Sequence, residues 1–284
     1  MSVNSQSQTL VIKDWLKSAV RQLSDIGIAS ARLDAEIILS NTLNKNRTYL
    51  HAHGNEVLDG RIIKITNKQL SQRLGRMPIA YIIGHKEFYR REFIVNSDTL
   101  IPRPESEDII TLLSRILPTK TFGLPPTKLI DVGTGCGCLG ITAKLEFPRL
   151  DVTLTDISEK SLKIARTNAN RLSTDVSFLQ GDLLLNFSAK ADIIIANLPY
   201  VDSAWKRSPE TEYEPSLALF ADKHGLSIID RFIPIIHNSL NRDGHLIIEA
   251  DPTQHEAIVK SAKKQSLVKT HQLGYALSFK FEKK

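Results

Sequence analysis

Two kinds of hydrophobic periodicity divide the chain. Over residues 9 to 75 the apolar positions recur at helical spacing, with Trp15, Leu16, Ala19, Val20 and Leu23 on one face of a 3.6-residue period. A turn is expected near Gly27. A second helix is predicted after Ser30, a residue type suited to the N-cap, with Leu33, Ile37, Ile38 and Leu43 on its apolar side. A third runs from about Arg61 to Leu74, so this part reads as a small helical bundle. The stretch 86 to 101, KEFYRREFIVNSDTLI, is rich in aromatic and β-branched residues and predicts a hairpin. Pro-Arg-Pro at 102 to 104 ends it, and Pro104 suits the start of a helix carrying Ile109, Ile110, Leu112, Leu113 and Ile116. TFGLPPTK at 121 to 128 reads as a loop.

From Lys128 onward, apolar strands alternate with amphipathic helices, the pattern of a largely parallel sheet covered on both faces. Strands are predicted at 128 to 132, 151 to 155, 176 to 179, 191 to 196 and 245 to 250. Helices are predicted at about 138 to 146, 158 to 171 and 225 to 240. The segments 266 to 270 and 275 to 281 alternate around Gly274 and predict a closing antiparallel pair. No internal repeat is present.

Length and composition agree with this division. A chain of 284 residues suggests about two domains, and 42% hydrophobic with 24% charged residues is ordinary for a protein with a sizeable core. The opening MSVNSQSQTL has neither the basic nor the apolar region of a secretory signal, and no apolar run approaches a membrane span. A cytoplasmic protein is therefore expected. The net charge of +6 is spread along the chain without a basic run, so it does not point to nucleic acid. Cys136 and Cys138 are too close for an ordinary disulfide loop and too few for zinc, and they read as reduced thiols. His51, His53, His85, His224 and His255 are scattered and read as surface or packing residues, so no metal is expected.

The first chemical signal is the glycine-rich turn after the first strand of the sheet, Asp131-Val-Gly133-Thr134-Gly135-Cys-Gly137-Cys-Leu-Gly140. Glycines there permit positive φ and close approach of a ligand, and amides at the following helix N-terminus can face an anionic group. Alone, this pattern also fits a nicotinamide dinucleotide. Asp131 favours S-adenosylmethionine, because a carboxylate there can accept from an ammonium that a nicotinamide cofactor lacks. Asp156, closing the second strand, can take both ribose hydroxyls of either cofactor. Ile157 beside it is placed to meet the nucleoside. Asp182, with Leu183, follows the third strand and can approach the adenine amine or serve as a turn former.

The most diagnostic stretch is Asn197-Leu198-Pro199-Tyr200, where the strand ADIIIA ends at the carboxyl edge at which open α/β sheets bind ligands. An amide or aromatic amine nitrogen is a poor nucleophile because its lone pair is delocalised. Two acceptors on its NH2, the Asn197 side-chain carbonyl and the Leu198 main-chain carbonyl, can hold that nitrogen pyramidal and stabilise developing positive charge. Pro199 biases Leu198 toward extended backbone, and Tyr200 can stack on a flat substrate group. The same geometry suits adenine, cytosine or a glutamine carboxamide.

These residues lie within a likeness spanning nearly the whole chain: ARLDAEIIL, MPIAYIIGHKEFY, IPRPESE, IDVGTGCGCLGI, TDIS, NLPY, YEPSLALFADKHGL and RDGHLIIEADPTQ. The chain resembles the release factor glutamine methyltransferases. That resemblance implies an α/β fold, a seven-stranded Rossmann-like class I methyltransferase sheet with a small helical N-terminal domain. It places the helical domain at 1–85, a hairpin linker at 86–104 and the methyltransferase domain at 105–284. It implies S-adenosylmethionine as cofactor and, as substrate, the glutamine of the Gly-Gly-Gln motif of class I peptide chain release factors. It also implies a monomer that does not bind nucleic acid directly, and Arg103, Pro104 and Glu105 at the substrate mouth. One departure is Leu198, where the family usually has proline. Asn-Leu-Pro-Tyr also occurs in ribosomal RNA adenine dimethylases, so an adenine-amine methyltransferase on RNA or DNA remains an alternative, as does a ribosomal protein glutamine as substrate.

Overall fold

Ile12, Trp15, Ala19 and Leu23 recur at the predicted spacing and are buried together in α1, Ile12–Asp25. The computed structural model describes residues 10–117, 125–185, 187 and 189–282. The opening segment through Thr9, and residues 121–124 of the expected loop, lie outside these. The described chain forms two compact units. The first comprises the described residues up to Gly84 with Ser208–Tyr213, and its helices are α1, α2 (Ala31–Leu43), α3 (Arg47–Ala52), α4 (Gly60–Leu74) and α5 (Ile79–Ile83). Their shared core includes Ile12, Leu23, Ala35, Ile38, Leu39, Leu50 and Leu70.

The α2 face differs from the expected one. Leu33 is 41% exposed, and the buried face carries Asp34 and Glu36 beside Ala35, Ile38 and Leu39. Ion pairing explains the inversion. Asp34 accepts from Arg73 Nε at 2.7 Å, and Glu36 accepts from Arg32 Nε at 3.0 Å and Arg47 Nε at 2.8 Å. Burial of paired carboxylates removes the apolar signature that spacing arguments rely on. Ser30 precedes α2, but its hydroxyl donates to Asp34 at 3.0 Å and caps no amide. Asn46 and Asp59 do cap, accepting from Tyr49 N and Arg61 N. Within the same unit, Glu210 accepts from Arg73 Nη1 at 2.9 Å, and the Tyr213 hydroxyl donates to the Gly75 carbonyl.

The second unit, His85–Arg207 and Glu214–Lys284, holds the sheet. It opens with the predicted hairpin, β1 (His85–Phe88) against β2 (Arg91–Ile94), turned by Tyr89 and Arg90 at φ 48° and 61°. The helix after Pro104 is a single 3-10 turn, Pro104–Ser106, followed by α6, Glu107–Ile116. Then come β3 (Thr127–Val132), α7 (Cys138–Glu146), β4 (Leu150–Asp156), α8 (Glu159–Arg171), β5 (Ser177–Gln180), β6 (Ala191–Ala196), β7 (Leu240–Glu249), β8 (Leu267–Leu273) and β9 (Ala276–Phe281). The seven strands pair in the order β5-β4-β3-β6-β7-β9-β8, all parallel except β9, which runs antiparallel to β7 and β8. Chain order reverses between β3 and β6, and this switch point is where an open sheet leaves a crevice.

Three elements of the second unit depart from the expected pattern. The helix expected over 225 to 240 is broken into Ser227–Phe232, a 3-10 turn at Ile233–Ile235 and Ile236–Ser239. Pro234 supplies no amide for the helical ladder at that point. β7 begins at Leu240, earlier than expected. A helix at His255–Lys264 was absent from the pattern because its buried face holds only Ile258 and Ala262 beside His255. Asn168 of α8 joins the hairpin to the glycine turn: it bonds the Ile94 amide and carbonyl at 2.7 and 3.0 Å and the Cys136 carbonyl at 2.8 Å. No helix of the described residues is long and apolar enough to cross a membrane.

Candidate active site

The carboxyl ends of β3, β4 and β6 surround a cavity of about 270 Å³. From the predicted set, its wall takes Gly133, Gly135, Asp156, Ile157, Asp182, Leu183, Asn197, Leu198 and Pro199. Gly135 sits at φ +56°, and a Cβ built on it meets nothing within 4 Å, so the backbone itself faces open space. Ile157, 53% exposed on the same wall, offers an apolar side chain of the kind that packs on a nucleoside base.

Asp156 organises the rim. Its Oδ2 accepts from Gly135 N at 2.9 Å and its Oδ1 from Ser158 N at 2.8 Å, while its carbonyl accepts from Gly181 N at 3.0 Å. Each carboxylate oxygen keeps capacity for a further donor such as a ribose hydroxyl. Burial raises the Asp156 pKa, and the bonds from Ser158 and Gly135 oppose that rise. Asp182 is held by Arg231, whose guanidinium donates to Oδ2. Arg231 lines the cavity too.

Asp131 is not on the wall. It is fully buried beneath the turn, where Oδ2 accepts from the Thr134 hydroxyl at 2.6 Å and from Gly140 N at 2.9 Å. Its carboxylate therefore staples β3 to the first turn of α7. Gly140 has no room for a side chain, because a Cβ would run into Leu154 and Asp131. Burial lifts the Asp131 pKa to about 6. Thr134 and Gly137 likewise support the turn from behind: the Thr134 hydroxyl is committed to Asp131, and Gly137 packs on Ile141 and Ala165.

Asn197 and Leu198 leave β6 at the cavity wall. Asn197 Nδ2 donates to the Ser106 hydroxyl at 3.0 Å, which turns the carbonyl end of the carboxamide away from Ser106. Leu198 is buried, with its side chain against Gly133. Tyr200 does not reach the wall: its hydroxyl donates to Glu249 Oε1 at 3.0 Å, and its carbonyl accepts from Gln254 Nε2 at 2.8 Å. It braces the turn where stacking on a substrate was expected. Burial and the facing Glu249 carboxylate push its phenol pKa far up.

The IPRPESE and YEPSLAL segments meet through one carboxylate. Glu214 is buried, its Oε1 taking the Arg103 guanidinium at 2.5 Å and its Oε2 taking Ile101 N at 3.1 Å. Arg103 thus fixes Glu214, while Pro104 and Glu105 are exposed and off the cavity wall. Pro215, Leu217 and Ala218, which follow Glu214, do line it. Three residues not singled out in the sequence matter here: Ser106, Glu214 and Glu249. Glu249 carries a readable signal, a carboxylate ending the apolar strand HLIIE beside β6. The pairing of Glu214 with Arg103 carries none, because 111 positions separate them.

Residues 14–84 match the family described as the PrmC N-terminal domain, and residues 109–210 match the methyltransferase small domain. The chain is similar to the release factor glutamine methyltransferase of Koribacter versatilis (strain Ellin345), 35% identical over 257 residues that cover 87% of this chain and 90% of that one. The protein of the same name from Bacillus anthracis is 35% identical, with 83% and 85% covered. Among solved structures, a methyltransferase from Pyrococcus furiosus shares the fold, with a TM-score of 0.52 at 17% identity over 75% of this chain and 100% of that one. On the extent of these matches, the chain belongs to the release factor glutamine methyltransferase family.

Proposed function

We propose that this chain transfers a methyl group from S-adenosylmethionine to the side-chain amide nitrogen of the glutamine in the Gly-Gly-Gln motif of class I peptide chain release factors. The observation that carries the reading is the placement of Asn197 and Leu198 on the cavity wall at the end of β6, with Asn197 Nδ2 committed to Ser106. Asn197 Oδ1 and the Leu198 carbonyl then accept the two N–H bonds of the glutamine carboxamide, localise its lone pair and stabilise the charge that develops on nitrogen. Pro199 limits where the Leu198 carbonyl points. Most of the rate effect comes from holding the nitrogen in place.

The wall fits the cofactor. Asp156 would receive the ribose hydroxyls, Ile157 and Leu183 would contact the adenine, Asp182 would approach its amine, and Gly133 with the bare backbone of Gly135 would admit the amino-acid end. Asp131, Thr134 and Gly137 keep that backbone in shape. When bound there, S-adenosylmethionine would supply an electrophilic methyl on sulfonium sulfur, which the substrate nitrogen would take as the S–CH3 bond breaks, with one proton then lost from nitrogen. Arg103 holds Glu214 and with it the adjoining wall segment, while Pro104 and Glu105 meet the substrate at the entrance. The helical unit docks the release factor, and the protein works as a monomer in the cytoplasm without a metal ion.

The test is incubation with labelled cofactor and a purified release factor, followed by peptide mass mapping. Label on the Gly-Gly-Gln glutamine, lost when that glutamine is replaced by glutamate, is the expected result. Label on ribosomal RNA or a ribosomal protein, with none on the release factor, overturns the assignment.

A further inference from the structure

The Asn197 carboxamide has an acceptor at one end and a donor at the other, and a half-turn about its last side-chain bond exchanges them. Which end faces the cavity decides whether a substrate NH2 meets a lone pair or more hydrogens. Nδ2 is bonded to Ser106, whose own residue is 2% exposed. A hydroxyl that accepts from Asn197 still has its hydrogen to place, in a region water does not reach. Glu249 follows Ile248, the register partner of Ala196 in the parallel β6–β7 pair, so it stands next to Asn197 at the strand ends, and it is 1% exposed. Glu249 Oε1 takes the Tyr200 hydroxyl, whereas Oε2 has no hydrogen-bond partner among the described residues. Burial raises the Glu249 pKa, and the neighbouring Ser106, Tyr200 and Asn197 side chains oppose that rise.

We infer that Ser106 and Glu249 are positioning residues for methyl transfer: Ser106 gives its hydrogen to Glu249, accepts Asn197 Nδ2, and thereby fixes Asn197 Oδ1 toward the cavity. With Glu249 ionised the polarity of the chain is fixed, because a carboxylate only accepts: a hydroxyl next to it donates there and accepts from the amide. Tyr200 holds the carboxylate from its other oxygen, so the last residue of the tetrapeptide anchors the group that orients the first. The inference rests on the reading of Asn197 as the acceptor for the substrate nitrogen.

The test pairs kinetics with a direct view of the amide. Ser106→Ala is expected to lower kcat about fivefold, the population effect of losing one ordinary hydrogen bond, with the Kd for S-adenosylhomocysteine within about twofold. The Asn197 side-chain NH2, followed by 15N NMR, is expected to exchange slowly in the parent and faster in Ser106→Ala, with slow exchange regained in Ser106→Thr. In an Asn197→Ala background there is no amide to orient, so adding Ser106→Ala should leave the residual rate unchanged. An unchanged kcat with unchanged NH2 exchange in Ser106→Ala overturns the inference. So does an equal loss in both backgrounds, which marks a role in packing only. Full turnover by Asn197→Ala alone removes the acceptor reading instead, and the NH2 exchange still reports whether Ser106 and Glu249 hold the amide.

Discussion

Asp131→Asn separates the role of a brace from that of a charge. Asp131 titrates near 3.8 when unfolded and near 6 when folded, because the turn buries it completely. Between those values the native chain holds a proton that the unfolded chain has released, so stability falls as pH rises through the window and the full penalty is present above about 6. Two pKa units at about 1.4 kcal/mol each make the penalty about 3 kcal/mol. Asparagine is isosteric, and its carbonyl can accept from Thr134 and Gly140 as Oδ2 does. Its amide then lies where Oδ1 has no partner among the described residues. Denaturant unfolding of both proteins between pH 4 and pH 7 is the assay. The variant should gain about 3 kcal/mol on the parent across that range, with a Kd for S-adenosylhomocysteine that stays within about threefold. A stability difference that does not change with pH refutes the buried ionised carboxylate, and a large loss of affinity refutes the brace.

Asp156→Ala removes two amide partners from the rim together with the acceptor for the ribose. At roughly 1.5–3 kcal/mol per bond to a charged group, calorimetry should show S-adenosylhomocysteine binding weakened at least about 100-fold. Arg73→Met leaves Asp34 buried without its partner, and chemical denaturation should show a loss of about 3–5 kcal/mol. Part of that loss should vanish in acid. Although burial raises the Glu210 pKa, its bonds from Ser208, its own backbone and Arg73 outweigh this and bring it to about 2. Its contribution is complete above its ordinary 4.5 and disappears as pH falls toward 2.

Sequence carried the sheet and its crevice well, because Leu129 and Ile130 in β3, Leu150, Val152 and Leu154 in β4 and Ile193 to Ile195 in β6 mark buried strands, and each strand ends in or leads into a residue with distinctive chemistry. Gly135, Asp156 and Asn197 could be placed at one edge from strand order alone. Side-chain direction was not legible. Asp131 and Tyr200 stand one or a few positions from wall residues, yet the pleat and the turn point both into the protein. Leu33 misled for a related reason, since the inward face of α2 uses carboxylates neutralised by Arg32, Arg47 and, from farther along the chain, Arg73. Contacts such as Arg103 with Glu214 depend on long-range packing that local pattern does not encode.

In the proposed reaction Asn197 is an acceptor for the substrate nitrogen. The most direct measurement is single-turnover methyl transfer to a release factor by Asn197→Ala, run beside calorimetric binding of S-adenosylhomocysteine. Turnover should fall by at least about 100-fold, the loss typical of one donor or acceptor aimed at developing charge, with cofactor affinity preserved. Turnover at the parental rate with affinity preserved would contradict it.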